Sequence, residues 1–213
     1  EKCKNYTRTS IERMYSVYKS VEYVVKNNLE GDMVECGTWR GGSAMMMAYS
    51  LMEFNDLNRN IILYDTYEGM SEPGNNDKTS SNEEAAALLK AGEHEKENSV
   101  WCLASMEDVK ENLINTGYPE KNIYFIKGKV EDTIPEQSPK NISLLRLDTD
   151  WYESTYHELI HLYPLLIPKG VLIIDDYGHW LGARKATDEY FEESKTAVLL
   201  NRIDYTGRLC IKP

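Results

Sequence analysis

Two short acidic runs hold the residues best suited to chemistry. Leu147-Asp148-Thr149-Asp150 closes one apolar stretch, and Ile173-Ile174-Asp175-Asp176 closes another. In open α/β sheets, ligands gather beyond the carboxyl ends of the strands. If both stretches are strands, four carboxylates meet at one sheet edge. Unpaired, they would repel one another strongly in a partly dry pocket. A hard divalent cation such as Mg²⁺ relieves that repulsion, since it prefers carboxylate oxygens and keeps positions open for water and substrate. A plainer account makes each Asp the cap of the helix that follows. That suits one Asp; four at two strand ends favour the metal.

A second constellation lies earlier. Met33-Val34-Glu35-Cys36 runs into Gly37-Thr38-Trp39-Arg40-Gly41-Gly42, where glycines let backbone approach a ligand and Ser43 can cap the next helix. Asp65 follows one βαβ step later, placed to hold a ribose diol through paired hydrogen bonds. A nicotinamide dinucleotide would suit the same geometry, but the turn is not GxGxxG and Glu35 would repel a pyrophosphate. A cofactor with a cationic sulfonium and a free amine, adenosylmethionine, tolerates these carboxylates better. His157 and His161 stand at i, i+4, a spacing that can bind zinc, yet no third soft ligand is near, which favours packing or surface roles. His179 follows the second acidic run and faces either the site or the structure around it. Trp39, Trp151 and Trp180 flank these motifs, as pocket walls or as core.

The elements that must position these groups alternate. Helical spacing of Ile11, Met14, Tyr15, Tyr18, Val21, Val24 and Val25 predicts a helix over 10–28, with Thr9 and Glu12 as a capping box. Strands are expected at 33–36, 61–64, 123–126, 143–147 and 171–174, with helices over 43–54, 106–115, 153–166 and 181–193. Residues 197–202 and 208–211 read as a closing antiparallel pair. Most strands are apolar runs without alternation, as strands buried on both faces of a parallel sheet are. The expectation is one doubly wound, mostly parallel, seven-stranded α/β domain over residues 1–213, with an N-terminal helix and a C-terminal hairpin. Residues 68–99 turn polar, with a helix over 83–90, and an excursion this long suggests a lid.

Bulk properties agree. The 213 residues, 41% hydrophobic and 28% charged, suit a globular domain. A net charge of -11 and the lack of a dense Lys/Arg cluster argue against a nucleic-acid partner. No stretch approaches the ~20 apolar residues of a membrane span. The opening residues lack a secretory pattern and an initiator Met, consistent with a trimmed chain. Cys3, Cys36, Cys102 and Cys210 show no CxxC spacing, so neither zinc nor a disulfide framework is signalled, and a cytoplasmic location is expected.

The motifs together resemble the TylF-type macrocin O-methyltransferases. The resemblance lies in Val34–Ser43, Asp65-Thr66-Tyr67-Glu68-Gly69-Met70, Lys127–Pro135, Leu144–Thr155 and Ile173–Gly178, spanning about 31–191. It implies a class I methyltransferase (Rossmann-like) fold, S-adenosyl-L-methionine as donor, Mg²⁺ as metal and a sugar or glycoside hydroxyl as acceptor. By position, Glu35, Gly37 and Arg40 to Ser43 (Arg40, Gly41, Gly42, Ser43) would line the methionine side, together with Thr38 and Trp39. Asp65 and Thr66 would face the ribose, and Gly128 and Val130 the adenine. Asp148, Asp175 and Asp176 would bind metal, with Asp148 also touching the donor and Asp150 acting as general base. Two departures stand out: Thr149 where the family often has Gly, and Trp151 where a smaller aliphatic residue is usual. Relatives tend to assemble, so a homodimer or larger is a mild expectation. Competing readings are a catechol-type phenolic O-methyltransferase, a catalytically silent adenosylmethionine-binding module and a nicotinamide oxidoreductase.

Overall fold

The apolar runs do become strands, and their side chains divide between two helical layers by simple alternation. In the computed structural model, which describes residues 1–213, β1 (Asp32–Cys36), β2 (Ile61–Asp65), β3 (Ile123–Lys127), β4 (Ile142–Leu147), β5 (Leu166–Ile174), β6 (Asn201–Arg202) and β7 (Arg208–Ile211) form one sheet. Its order is β3-β2-β1-β4-β5-β7-β6. The first five strands are parallel neighbours, while β7 runs antiparallel to both β5 and β6. Met33, Leu63, Leu144 and Ile173 pack on one face with α1 (Ile11–Lys26), α2 (Gly42–Glu53) and part of α4 (Met106–Ile114). Val34, Ile62, Leu145 and Leu172 pack on the other with α6 (Tyr152–Leu162) and α7 (Leu181–Glu193).

The chain leaves β1 toward β2 and β3 on one side and returns to β4 and β5 on the other. The carboxyl ends of β1 and β4 therefore lie side by side at the point where strand order reverses, and connections diverge there to leave a crevice. Gly37 N–H donates to Tyr64 O at 2.8 Å and Asp148 N–H to Cys36 O at 2.9 Å, so both loops start as short continuations of the sheet.

Several boundaries differ from expectation. Ser10, not Thr9, caps α1, its hydroxyl accepting from Arg13 N–H. Ser43 does not cap α2; Gly41 does, at φ 82°, and Ser43 lies inside the helix. The helix expected to reach Leu166 ends at Leu162, followed by a short 3-10 turn over Tyr163–Leu165 carrying Pro164, and Leu166 already belongs to β5. Only Asn201–Arg202 of the run 197–202 pairs as strand. A four-residue helix, α5 (Val130–Thr133), was not expected.

Residues 68–99 pack down rather than extend. They hold α3 (Ala85–Ala91), close to the helix expected there, and Ala85 and Leu89 join Trp151, Trp180 and Ala183 in a small third core. Thr79 forms a bridge to Trp180. Burial of the two tryptophans thus pins the insert over the ends of β4 and β5. No helix is long and apolar enough to cross a membrane. All four cysteines are free thiols, with Cys3, Cys36 and Cys210 buried.

Candidate active site

β4 and β5 deliver the acidic runs to the crevice in register, Leu147 beside Ile174, and Asp175 N–H donates to Leu147 O at 2.9 Å. One carboxylate oxygen each from Asp148, Asp150 and Asp176 falls within 4.8 Å of the others, the one such group of three or more metal-capable side chains. None of the four aspartates caps a helix. The capping positions of α6 and α7 are Trp151 and Trp180, without side-chain caps.

The acids are not equivalent. Asp175 is 1% exposed, and its two oxygens accept from Arg13 and Arg146. Asp148 receives Arg146 Nη1 at 2.7 Å. Asp176 has one oxygen, Oδ2, buried without a partner. Burial raises the pKa of Asp176, and Asp150 and Asp175 raise it further. Asp148 is also raised by burial, which outweighs Arg146. Asp150 opens onto the crevice yet is closely walled; burial first, then Asp148 and Asp175, push its pKa up to about 7 despite a hydrogen bond with Asp176. Without a cation, the cluster therefore holds protons near neutrality.

Behind the acids stands Arg146, a charge inside an otherwise apolar strand. It is 1% exposed and binds Glu35, Asp175, Asp148 and, at 3.3 Å, Ser43 Oγ. Burial opposes its charge, but Asp148, Asp175 and Glu35 outweigh burial and keep the guanidinium protonated. Glu35 accepts from Ser43 and Arg146 through Oε1, while Oε2 is buried without a partner. Glu35 thus keeps one uncommitted oxygen, fully buried, two residues before Gly37. Gly37 sits at φ 79°, and a Cβ there would overlap the Asp148 backbone. Only glycine lets the two loops approach this closely.

Asp65 stitches the crevice together. Its Oδ2 accepts from Thr38 N–H at 2.6 Å and Trp39 N–H at 3.3 Å, and its Oδ1 from Tyr67 N–H at 2.7 Å. It borders two adjoining cavities. One, of about 280 Å³, includes Gly37, Thr38, Trp39, Gly42, Ser43 and the four aspartates. The other, of about 70 Å³, includes Thr66, Gly128, Val130 and Thr149. Gly37, Asp65, Met70 and Asp148 line both.

Arg40 and Gly41, expected at the donor, turn elsewhere. Arg40 pairs with Asp108 at 2.8 Å and lies over the Tyr6 ring, and Gly41 packs against Leu113 and Val109 of α4. His157 and His161 sit 4.4 Å apart by ring centroid on α6, outside the acidic cluster, with His157 Nε2 at 2.9 Å from Ile134 O. His179 does face the larger cavity. Its Nδ1 is 3.4 Å from Tyr205 Oη, and burial, with Arg13, lowers its pKa. Sequence reasoning missed Arg13, Tyr205 and the Tyr6–Thr9 segment that also wall this cavity. Only contact across the fold reveals them. Arg146 did carry a signal, as a lone charge in a strand buried on both faces.

A mostly parallel seven-stranded sheet ending in an antiparallel hairpin, with a glycine turn and acidic strand ends at its switch point, defines a class I methyltransferase. The chain belongs to the macrocin-O-methyltransferase (TylF) family, whose model matches residues 3–211. It is 31% identical over 202 residues to demethyldecarbamoylnovobiocin O-methyltransferase of Streptomyces niveus, covering 95% of this chain and 74% of that one. It is 32% identical over 202 residues, with the same shares covered, to the 8-demethyl-8-(2,3-dimethoxy-alpha-L-rhamnosyl)-tetracenomycin-C 4'-O-methyltransferase of Streptomyces olivaceus. Among solved structures, the O-methyltransferase NovP superposes with a TM-score of 0.83 at 30% identity, covering 97% of this chain and 82% of that one. The calicheamicin methyltransferase CalS11, at 16% identity and a TM-score of 0.75 over 97% of this chain and 80% of that one, shares the fold. The chain is a methyltransferase enzyme.

Proposed function

We propose that this enzyme transfers the methyl group of S-adenosylmethionine to a sugar hydroxyl, beside a Mg²⁺ ion held by Asp148 and Asp176. The observation that carries the reading is the clustered acids, with an unpartnered, buried Asp176 Oδ2, at the cavity that Gly37, Ser43 and Asp65 also line. The donor set fits the ion. Mg²⁺ commonly takes one or two carboxylates and keeps water in its remaining positions. Asp175, a ligand by family position, has both oxygens committed to arginines and joins the ion only if Arg13 releases it.

The donor lies across the two adjoining cavities. Glu35, buried behind Ser43, backs its methionine end, Asp65 faces its ribose, and Gly128 and Val130 bound its adenine. Gly37 lets the chain pass close to the sulfonium. When bound, the cation neutralises the acids and lowers the pKa of an acceptor hydroxyl. Asp150 takes the hydroxyl proton as oxygen bonds to the methyl carbon and the carbon–sulfur bond breaks. Adenosylhomocysteine and the methyl ether are the products. Fixing donor and acceptor on one rigid sheet edge provides the entropic share of the rate. His179, Trp180 and Tyr205 offer aromatic faces and polar tips to a sugar ring, and one relative is named for a rhamnosyl acceptor. The insert over residues 68–99 serves as the cover that excludes water.

Calorimetry and turnover test this together. Asp148→Asn and Asp176→Asn should lose Mg²⁺ binding, whereas Asp150→Asn should bind Mg²⁺ and adenosylhomocysteine yet turn over nothing. Asp175→Asn should keep its Mg²⁺ affinity; a loss matching that of Asp148→Asn would reinstate Asp175 as a ligand. Full activity in EDTA would remove the metal. Turnover of catechols but not of glycosides would replace the sugar with a phenol.

A further inference from the structure

Glu158 is a carboxyl group with no cation beside it, in the middle of the protein. It lies on α6 and is 0% exposed; Oε1 accepts from Thr149 Oγ1 at 3.0 Å, and Oε2 is buried without a partner. Burial raises its pKa most and outweighs the next largest influence, the Thr149 hydrogen bond, which lowers it with Cys36, while Glu131 and Asp148 add to the rise. Glu158 is thus held as the neutral acid. Placing such a group in an apolar layer costs free energy unless its bonds are made. A leucine would pack the same face of α6 more favourably, so the sequence bears this cost for something other than the core.

What Glu158 holds is Thr149, and Thr149 joins Asp148 to Asp150. This turn does not hold itself. Asp150 is a non-glycine residue at φ 69°, in the left-handed region, and the turn has one internal backbone bond, Trp151 N–H to Thr149 O at 2.8 Å. Such a conformation costs of order 1–3 kcal/mol and persists only where the surroundings over-determine it. Thr149 is also where the sequence departs from the glycine its resemblance suggests.

We propose that Thr149 and Glu158 form a positioning pair: the buried carboxyl grips the threonine hydroxyl and thereby sets where Asp148 and Asp150 present their oxygens. The pair acts through the turn: Glu158 lines neither cavity, and Thr149 borders the smaller one with its hydroxyl committed to Glu158. The inference rests on Asp148 and Asp150 being working acids of the site, as proposed above. It predicts that breaking the bond loosens the turn and weakens cation binding, even though no ligand has been altered.

The test uses the full chain without donor, with Mn²⁺ as probe by calorimetry and amide exchange over residues 147–153. Thr149→Val removes the hydroxyl at constant volume, Glu158→Ala removes the acceptor, and Glu158→Gln retains an acceptor of the same shape. Thr149→Val and Glu158→Ala should each weaken Mn²⁺ binding by about tenfold, the low end of what losing an outer-sphere partner costs, while Glu158→Gln stays within about twofold of wild type. Exchange should quicken in the first two only, and the double variant should be no worse than either single one, since both remove one bond. Wild-type exchange and Mn²⁺ affinity in Thr149→Val overturn the pair, as does Glu158→Gln behaving like Glu158→Ala. If Glu158→Ala does not fold, Thr149→Val and Glu158→Gln decide. If wild-type protein binds no Mn²⁺, the metal reading fails, and the exchange comparison alone decides the pair.

Discussion

Arg146 and the acids around it show how single residues set the charge state of this site. Glu35, Asp148 and Asp175 all reach one guanidinium that is 1% exposed. Removing one partner from such a buried set leaves an uncompensated charge and costs roughly 3–5 kcal/mol. The remaining acids repel one another, and this has a pH signature. The Asp150 carboxyl, pushed by burial to about 7, lies far above the ordinary carboxylate range. The folded protein therefore keeps a proton that the unfolded chain gives up near pH 4. Its contribution to stability is full below that value and is lost as pH rises through about 7. Thermal melts of chelated protein should show wild type losing stability relative to Asp150→Asn between about pH 4 and pH 8. Saturating Mg²⁺ should flatten the difference. An unchanged difference across that window would contradict the raised pKa.

At the scale of elements, the site depends on two loops being allowed to touch. Gly37 at φ 79° lies against the Asp148 backbone. Gly37→Ala adds strain of order 1–3 kcal/mol and pushes the β4 loop away. Lower thermal stability together with weaker Mg²⁺ binding is expected, by melting and calorimetry; loss of stability alone would mean the loops do not communicate. The insert depends on its tryptophans. Trp151 and Trp180 meet edge-on with ring centroids 4.9 Å apart, and Trp180 is 4% exposed. Trp180→Ala should cost about 3–5 kcal/mol. Much of that loss should fall on the insert, so limited proteolysis should cut within residues 68–99 faster than in wild type while the sheet stays protected. Equal cleavage rates would show that the third core does not anchor it.

Across the whole molecule, the larger cavity, where the donor and metal are proposed to meet, takes its walls from the chain's first residues to its final hairpin. Arg13 of α1 reaches both Asp175 and Asp204, the latter in the β6–β7 turn. A ligand binding only the folded state raises stability by about 2.7 kcal/mol at one hundred times its Kd. Adenosylhomocysteine and Mg²⁺ added together should raise the melting temperature more than the sum of each alone, because Arg146 links Glu35 to Asp148. Strictly additive shifts, measured by scanning calorimetry, would place the two sites out of contact.

The sequence by itself determined the layers, the strands and the edge at which chemistry collects. Alternating elements and doubly buried apolar runs admit little but a parallel sheet, and acids at two strand ends have few other uses. The glycine turn after β1 was readable for the same local reason. Tertiary structure alone decided which acids are free. Asp175 and Asp176 are neighbours in sequence, yet one is bound by arginines from α1 and β4 while the other keeps an unpartnered oxygen. Arg40 likewise reads as a donor contact until Asp108, 68 residues away, is seen to hold it. Local pattern reports which groups a segment offers. Availability depends on partners brought from distant parts of the chain, and those exist only once the chain has folded.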